Sequence, residues 1–198
     1  METIGAIVLA AGGSVRFGPP KQLLEFRGQS LLRRVFEAAI TAGCSPIVVV
    51  IGGEGERITA ELRETSALII ENDDWRNGIG TSIRAGVQKV IAVQPDLDAV
   101  VLLVCDQPFV DANAITRLIA RRDETKKPIV ASRYSQTLGV PALFERTYFN
   151  ELLALDDKVG AKNVILSHIE NVAEYPFPDG AIDIDTSGDY ERLIAGSW

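Results

Sequence analysis

Short apolar runs punctuate the first two thirds of the chain. They lie at residues 4–10 (IGAIVLA), 46–51 (PIVVVI), 67–70 (ALII), 99–104 (AVVLLV) and 128–132 (PIVAS). They are mostly β-branched and nearly continuous rather than alternating. That is the pattern of strands covered on both faces, and it predicts a mostly parallel sheet. Helical periodicity fills the gaps. Ser30 is placed to cap a helix whose buried stripe is Leu31, Leu32, Val35, Phe36, Ala39 and Ile40, ending at Gly43. Further helices are expected over 56–64, 81–93 and 111–122, the last with Ile115, Leu118 and Ile119 on one face. A repeating strand–helix order with right-handed crossovers predicts an α/β fold, specifically a three-layer α/β/α sandwich. After residue 133 the rhythm breaks into a segment at 139–144, two helix-like stretches, a strand near 182–184 and a terminal helix from Ser187. No repeat, linker or low-complexity tract interrupts this order, so a single domain over 1–198 is expected.

Composition narrows the chemistry. The 198 residues include one histidine, His168, and two cysteines, Cys44 and Cys105. A lone histidine excludes a His-cluster metal site and leaves a Ser/His/Asp triad possible only through His168. Its position after residues 160–167 suits a helix carboxyl end better than catalysis. Cysteines this far apart form neither a CxxC motif nor a disulfide framework, which fits a reducing, cytoplasmic setting, with Cys105 read as core. A net charge of -7 argues against a broad nucleic-acid footprint. No basic leader or spanning apolar segment points to export or a membrane.

In open α/β sheets, ligands gather beyond the carboxyl ends of the strands, so the segments after each strand carry the information. The first is LAAGGSVRFGPPKQLL, residues 9–24, with Gly12, Gly13, Gly18, Arg16 and Lys21. No Asp or Glu occurs between Glu2 and Glu25, a window of 22 residues where average composition would place about three. Glycines after a strand let backbone N–H groups approach phosphate oxygens, and two cations would neutralise them. Pro19 and Pro20 stiffen the approach to Lys21. Neither a P-loop nor GxGxxG fits, because Pro19 follows Gly18 and the paired glycines are adjacent.

Asp106 follows the run at 99–104 and is placed either to bind Mg²⁺ beside a phosphate loop or to serve as a turn residue before the next helix. In 72–86 (NDDWRNGIGTSIRAG), Gly78 and Gly80 permit close approach, and Thr81 and Ser82 stand at a helix start where a nucleotide or a plain cap would serve equally. Trp75 suits a base platform or an apolar anchor, and the 52–55 loop lies at the same edge. Asp183-Ile184-Asp185-Thr186 reads as a short strand with both carboxylates on one face.

Together these segments resemble the nucleotidyltransferases related to the molybdenum-cofactor guanylyl- and cytidylyltransferases, the MobA-like NTP transferases. AAGGSVRFGPPKQLL is similar to their first-loop signature, NDDWRNGIGTSI to their Asn-x-x-Trp segment, CDQP to their Asp-x-Pro segment, and DIDTSGDY to their Asp-Ile-Asp-Thr-x-x-Asp-Tyr motif. The similarity is greatest to the cytidylyltransferase branch, which includes accessories to xanthine dehydrogenase. It implies a Rossmann-like (GT-A type) fold, with Leu9, Ala10, Ala11, Gly12 and Gly13 wrapping the nucleotide and Gly78 and Ser82 completing its site. Arg16 and Lys21 would hold the β- and γ-phosphates, and Asp106 and Asp185 would ligate Mg²⁺, with Asp183 as the fallback and Asp189 beginning the terminal helix. The implied reaction moves CMP from CTP onto a molybdopterin-type acceptor and releases pyrophosphate, with a molybdenum hydroxylase such as xanthine dehydrogenase as a possible client. Val140 stands where the family often carries a polar residue between Gly139 and Pro141, which leaves the acceptor open. Guanylyl transfer, sugar-phosphate nucleotidyl transfer and delivery of a cofactor without turnover are the alternatives.

Overall fold

The computed structural model describes residues 3–12, 20–53 and 55–197. In chain order, β1 (Ile4–Ala10) leads to a small hairpin of β2 (Glu25–Phe26) and β3 (Gln29–Ser30), then α1 (Leu31–Thr41), β4 (Ile47–Ile51), α2 (Gly55–Glu61) and β5 (Leu68–Glu71). There follow α3 (Ile79–Val93), β6 (Ala99–Val104), α4 (Ala112–Thr125), β7 (Ile129–Tyr134), β8 (Thr137–Glu145), α5 (Phe149–Leu153), α6 (Lys162–Ser167), β9 (Val172–Pro176) and α7 (Ser187–Ala195).

Seven strands form one sheet in the order β5-β4-β1-β6-β8-β7-β9. The pairs β5-β4, β4-β1, β1-β6 and β7-β9 are parallel, while β8 runs antiparallel to both its neighbours. The mostly parallel α/β architecture expected from the apolar runs is the one observed. Alternate side chains of β1 feed opposite layers. Ala6 and Val8 pack with Leu32, Phe36 and Ile115 from α1 and α4, whereas Ile7 packs with Ile83, Val87 and Ile165 from α3 and α6. Continuous apolar strands are therefore the direct consequence of helices on both faces.

Local signals explain the element ends. The Ser30 hydroxyl accepts the Arg33 N–H at the start of α1, and the Asp111 carboxylate accepts the Ala114 N–H at the start of α4. Ile40 departs from the expected buried stripe: in the last turn of α1 it is 44% exposed. The strand expected near 182–184 is not formed. A short 3₁₀ turn covers Pro178–Ala181, and the main chain beyond it bonds to the sheet side through the Ile184 N–H, which donates to the Asp106 carbonyl at 2.9 Å. The last strand of the sheet is β9, pairing with β7 alone. Among the described residues, no helix is long and apolar enough to cross a membrane.

Candidate functional site

The register Leu9↔Val104 between β1 and β6 brings their carboxyl ends side by side, so the chain leaving β1 and the chain leaving β6 face one another. Between them lies a cavity of about 180 Å³ lined by Leu9, Ala11, Gly12, Lys21, Ser82 and Asp106, with Gln22 and Trp75 also in its wall. Residues expected at a nucleotide site from three separate segments thus meet in one place. Ala10 lies beneath the wall, 1% exposed within the strand. Gly13 and Arg16 fall outside the described residues.

Lys21 opens a 3₁₀ turn (Lys21–Leu23) and projects across the strand ends. Its Nζ donates to Asp106 Oδ2 at 2.7 Å, to Asp185 Oδ1 at 3.2 Å and to the Ile184 carbonyl at 3.4 Å. Burial opposes its charge, but the Asp106 carboxylate and then Asp185 outweigh it, holding the ammonium above its ordinary pKa. The resemblance places Lys21 on phosphates; here the ammonium lies between the two carboxylates expected to bind metal.

Asp183 and Asp185 flank Ile184, which is turned into the core. It is fully buried in a small cluster with Phe26, Leu31 and Leu193. Asp183 has its pKa raised, first by desolvation and then by the charges of Asp106 and Asp185. Asp185 is fixed through its main chain. Asp189 Oδ2 accepts from Asp185 N–H at 3.1 Å and from Thr186 N–H at 2.7 Å, while the Thr186 hydroxyl caps α7 in return. Asp189 is the third residue of α7 and closes its capping box with Thr186, so it helps begin the terminal helix. Among the described residues no group of three or more His, Cys, Asp or Glu forms a closed metal cage. Two carboxylates on a single cation position suit a hard ion such as Mg²⁺ whose remaining ligands are water and substrate oxygens.

The helix start of α3 supplies the opposite wall. Asn72 is 7% exposed, and its Nδ2 donates to Thr81 Oγ1 at 2.8 Å and Ser82 Oγ at 2.9 Å. Gly78 and Gly80 do not line the cavity. Gly78 has φ +143° and packs on the main chain at Asp157 and Lys158, and a Cβ on Gly80 would lie 2.1 Å from the Asp156 carbonyl. Gly80 N–H bonds the Asp157 carbonyl at 2.8 Å, so these glycines let a later loop close against the helix. Trp75 lies against Gly52 and Gly53, with the Arg76 guanidinium 4.7 Å from its ring centroid, an arrangement that favours the anchor over the base platform.

The remaining candidates are structural. Cys105 is buried, its thiol directed to the Leu9 carbonyl at 3.4 Å and its pKa pushed up, chiefly by burial. His168 follows α6 as expected and pairs with Glu151 at 2.7 Å, far in sequence from the cavity segments. Val140 presents its carbonyl to Gln107 Nε2 (3.1 Å) and the Tyr134 hydroxyl (3.0 Å), leaving only an apolar side chain to offer a ligand. Sequence reasoning passed over Gln22, a buried amide in the cavity wall. Its only sequence signal was adjacency to Lys21 within the acid-free window.

A family model described as the MobA-like NTP transferase domain matches residues 6–172. The chain belongs to that family. Rv0371c of Mycobacterium tuberculosis H37Rv is similar over its whole length, 30% identical with a TM-score of 0.81 and 98% of each chain covered. A second structure of that protein, described as a complex with manganese, superposes with a TM-score of 0.77, again over 98% of each chain at 30% identity. Among curated proteins, nicotine blue oxidoreductase of Paenarthrobacter nicotinovorans is 30% identical over 120 residues, 60% of this chain and 57% of the relative. The bifunctional protein GlmU of Mycobacterium leprae (strain Br4923) is 32% identical over 165 residues, 78% of this chain. The matched region thus spans little more than half of the first relative and 33% of the second.

Proposed function

We propose that this member of the family transfers a nucleoside monophosphate, CMP from CTP, to the phosphate of a molybdopterin-type acceptor in a Mg²⁺-assisted reaction that releases pyrophosphate. The observation that carries the reading is the meeting of Gly12, Lys21, Ser82, Asp106 and Asp185 at one sheet edge. The choice of cytidine and of the pterin rests on the resemblance of the first loop and the DIDTSGDY segment to the cytidylyltransferase branch. The manganese complex of the 30% identical mycobacterial protein supports the use of a divalent cation.

In this reaction an acceptor phosphate oxygen attacks the α-phosphorus of the triphosphate. A new P–O bond forms, the bond to the β-phosphate oxygen breaks, and pyrophosphate leaves with the electron pair. The nucleophile is already anionic near neutral pH, so no residue need remove a proton; positioning and charge stabilisation do the work. Asp106 and Asp185 would hold a divalent ion, which would supply charge neutralisation to the reacting phosphate groups. Lys21 and Arg16 offset charge on the β- and γ-phosphates, Ser82 offers a hydroxyl oriented by Asn72, and the wall at Leu9, Ala11 and Gly12 encloses the nucleotide. On this reading a molybdenum hydroxylase such as xanthine dehydrogenase would receive the finished cofactor.

The decisive assay supplies CTP, GTP, ATP or UTP with molybdopterin, with and without Mg²⁺, and follows pyrophosphate. Mg²⁺-dependent release with CTP is expected, and absence of release with all four overturns the enzymatic reading. A second reading, transfer to a different phosphorylated acceptor, is favoured by the apolar Val140 side chain on the expected acceptor side. Screening sugar phosphates in the same assay separates the two.

A further inference from the structure

Gln22 lies one residue beyond Lys21 in the same 3₁₀ turn, yet points elsewhere. It is 3% exposed and forms part of the cavity wall. Its Nε2 donates to the Ala10 carbonyl at 2.7 Å and to the Gly12 carbonyl at 2.8 Å, so both amide hydrogens are spent on the turn that leaves β1. Its Oε1 is buried without a hydrogen-bond partner among the described residues. An unpaired buried acceptor is unfavourable. The reversed amide would be worse, setting an oxygen against two carbonyl oxygens. The two carbonyls therefore dictate the orientation, and an Oε1 without a partner among the described residues is its cost.

A triphosphate approaching this wall meets whatever the backbone presents. Carbonyl oxygens facing a polyanion repel it, while N–H groups attract it. The planar peptide points each N–H opposite to the carbonyl before it, so drawing the Ala10 carbonyl onto Gln22 also fixes the direction of the Ala11 N–H. We propose that Gln22 is a positioning residue, whose amide holds the Ala10 and Gly12 carbonyls so that the first loop accepts a polyphosphate. Because Lys21 and Gln22 share a turn, the same contact sets the distance between the loop and the ammonium that reaches Asp106. The inference rests on the nucleoside-triphosphate reading of the cavity but not on the donor base or the acceptor.

The test compares the wild-type chain with Gln22→Met, which keeps length and removes both donors, and Gln22→Glu, which keeps shape and opposes oxygens to the carbonyls. Calorimetry reads binding of inorganic tripolyphosphate, CTP and CMP, and amide exchange reads the Ala11 and Gly12 N–H groups without ligand. Gln22→Met is expected to weaken tripolyphosphate and CTP about tenfold, with CMP changed less than twofold and loop exchange accelerated. Gln22→Glu is expected to weaken them further. Equal losses for CMP and CTP, or unchanged tripolyphosphate binding in both variants, overturn the proposal. Tripolyphosphate binding without CTP binding by the wild type removes the nucleotide reading while leaving the role of Gln22 standing on the other comparisons.

Discussion

The Lys21 ammonium sits 2.7 Å from the Asp106 carboxylate and bridges it to Asp185. Two carboxylates brought together by the fold need a positive charge, and Lys21 supplies one from the chain itself. On the proposed function a divalent cation would share this position and a polyphosphate would offer Lys21 a competing partner, so that nucleotide and cation arrival would be coupled through one side chain.

Replacing Lys21 by Met is therefore expected to act in opposite directions on two measurements. Without nucleotide, Mn²⁺ binding followed by electron paramagnetic resonance should tighten several-fold, since the carboxylates lose their internal counter-charge. Turnover should fall by about 10²–10³, the usual loss when one charge-stabilising donor is removed. Weaker Mn²⁺ binding in the variant would show that the ammonium and the ion occupy separate places.

Asp106→Asn should abolish metal-dependent turnover with little change in melting temperature. The main-chain bond from Ile184 to the Asp106 carbonyl does not depend on the side chain, so the segment carrying Asp185 stays docked. Retained turnover in the folded variant removes Asp106 from the chemistry.

How much of this was legible beforehand differs by element. The apolar runs of β1 and β6 are unambiguous because both faces of those strands are covered, and the caps Ser30 and Asp111 mark helix starts by side-chain chemistry alone. Strand β9 was hidden because its sequence VAEYP alternates and ends in proline, the mark of an edge strand pairing on one side. The 182–184 segment imitated a strand because Ile184 buries itself between two exposed acids, a pattern that any extended chain over a small apolar cluster produces. At the site, Lys21 and Asp106 stood out as charges after apolar runs. Gln22 did not, since a polar side chain whose function is to bond main chain leaves no periodic signature.

Gly80→Ala tests the closure of the 156–159 loop on α3. The added Cβ would meet the Asp156 carbonyl at 2.1 Å, so helix and loop must part. Overpacking of this kind costs about 1–3 kcal/mol. In a chain of this size that corresponds to a drop of about 2–4 °C in melting temperature per kcal/mol. An unchanged melting temperature by calorimetry would mean that the loop yields without cost.

Asp98 ties the start of β6 to the residue before β1, accepting the Thr3 N–H at 2.7 Å and the Thr3 hydroxyl at 3.1 Å. These bonds favour the carboxylate and hold its pKa below the ordinary value. The folded pKa is depressed, so the stability it contributes is present above the unfolded carboxylate pKa of about 3.9 and is lost as pH falls through the folded value. Asp98→Asn should lower stability at neutral pH and flatten the acid limb of a denaturation series. Parallel acid limbs in the two proteins would contradict this.

Asp185 lies outside the sheet, its segment tied to the end of β6 by the neighbouring Ile184 N–H on the Asp106 carbonyl at 2.9 Å. Its main chain hangs on the Asp189 carboxylate, and α7 is itself held by Leu193 in a four-residue cluster and by the Tyr190 hydroxyl on the Glu25 carbonyl at 2.8 Å. Opening of this last helix can therefore occur while the seven strands remain intact, and each opening withdraws one carboxylate from the pair. Cation affinity would then fall with warming well before the protein unfolds, and the breathing of the terminal helix, rather than any contact at the ion, would set the temperature at which the site fails.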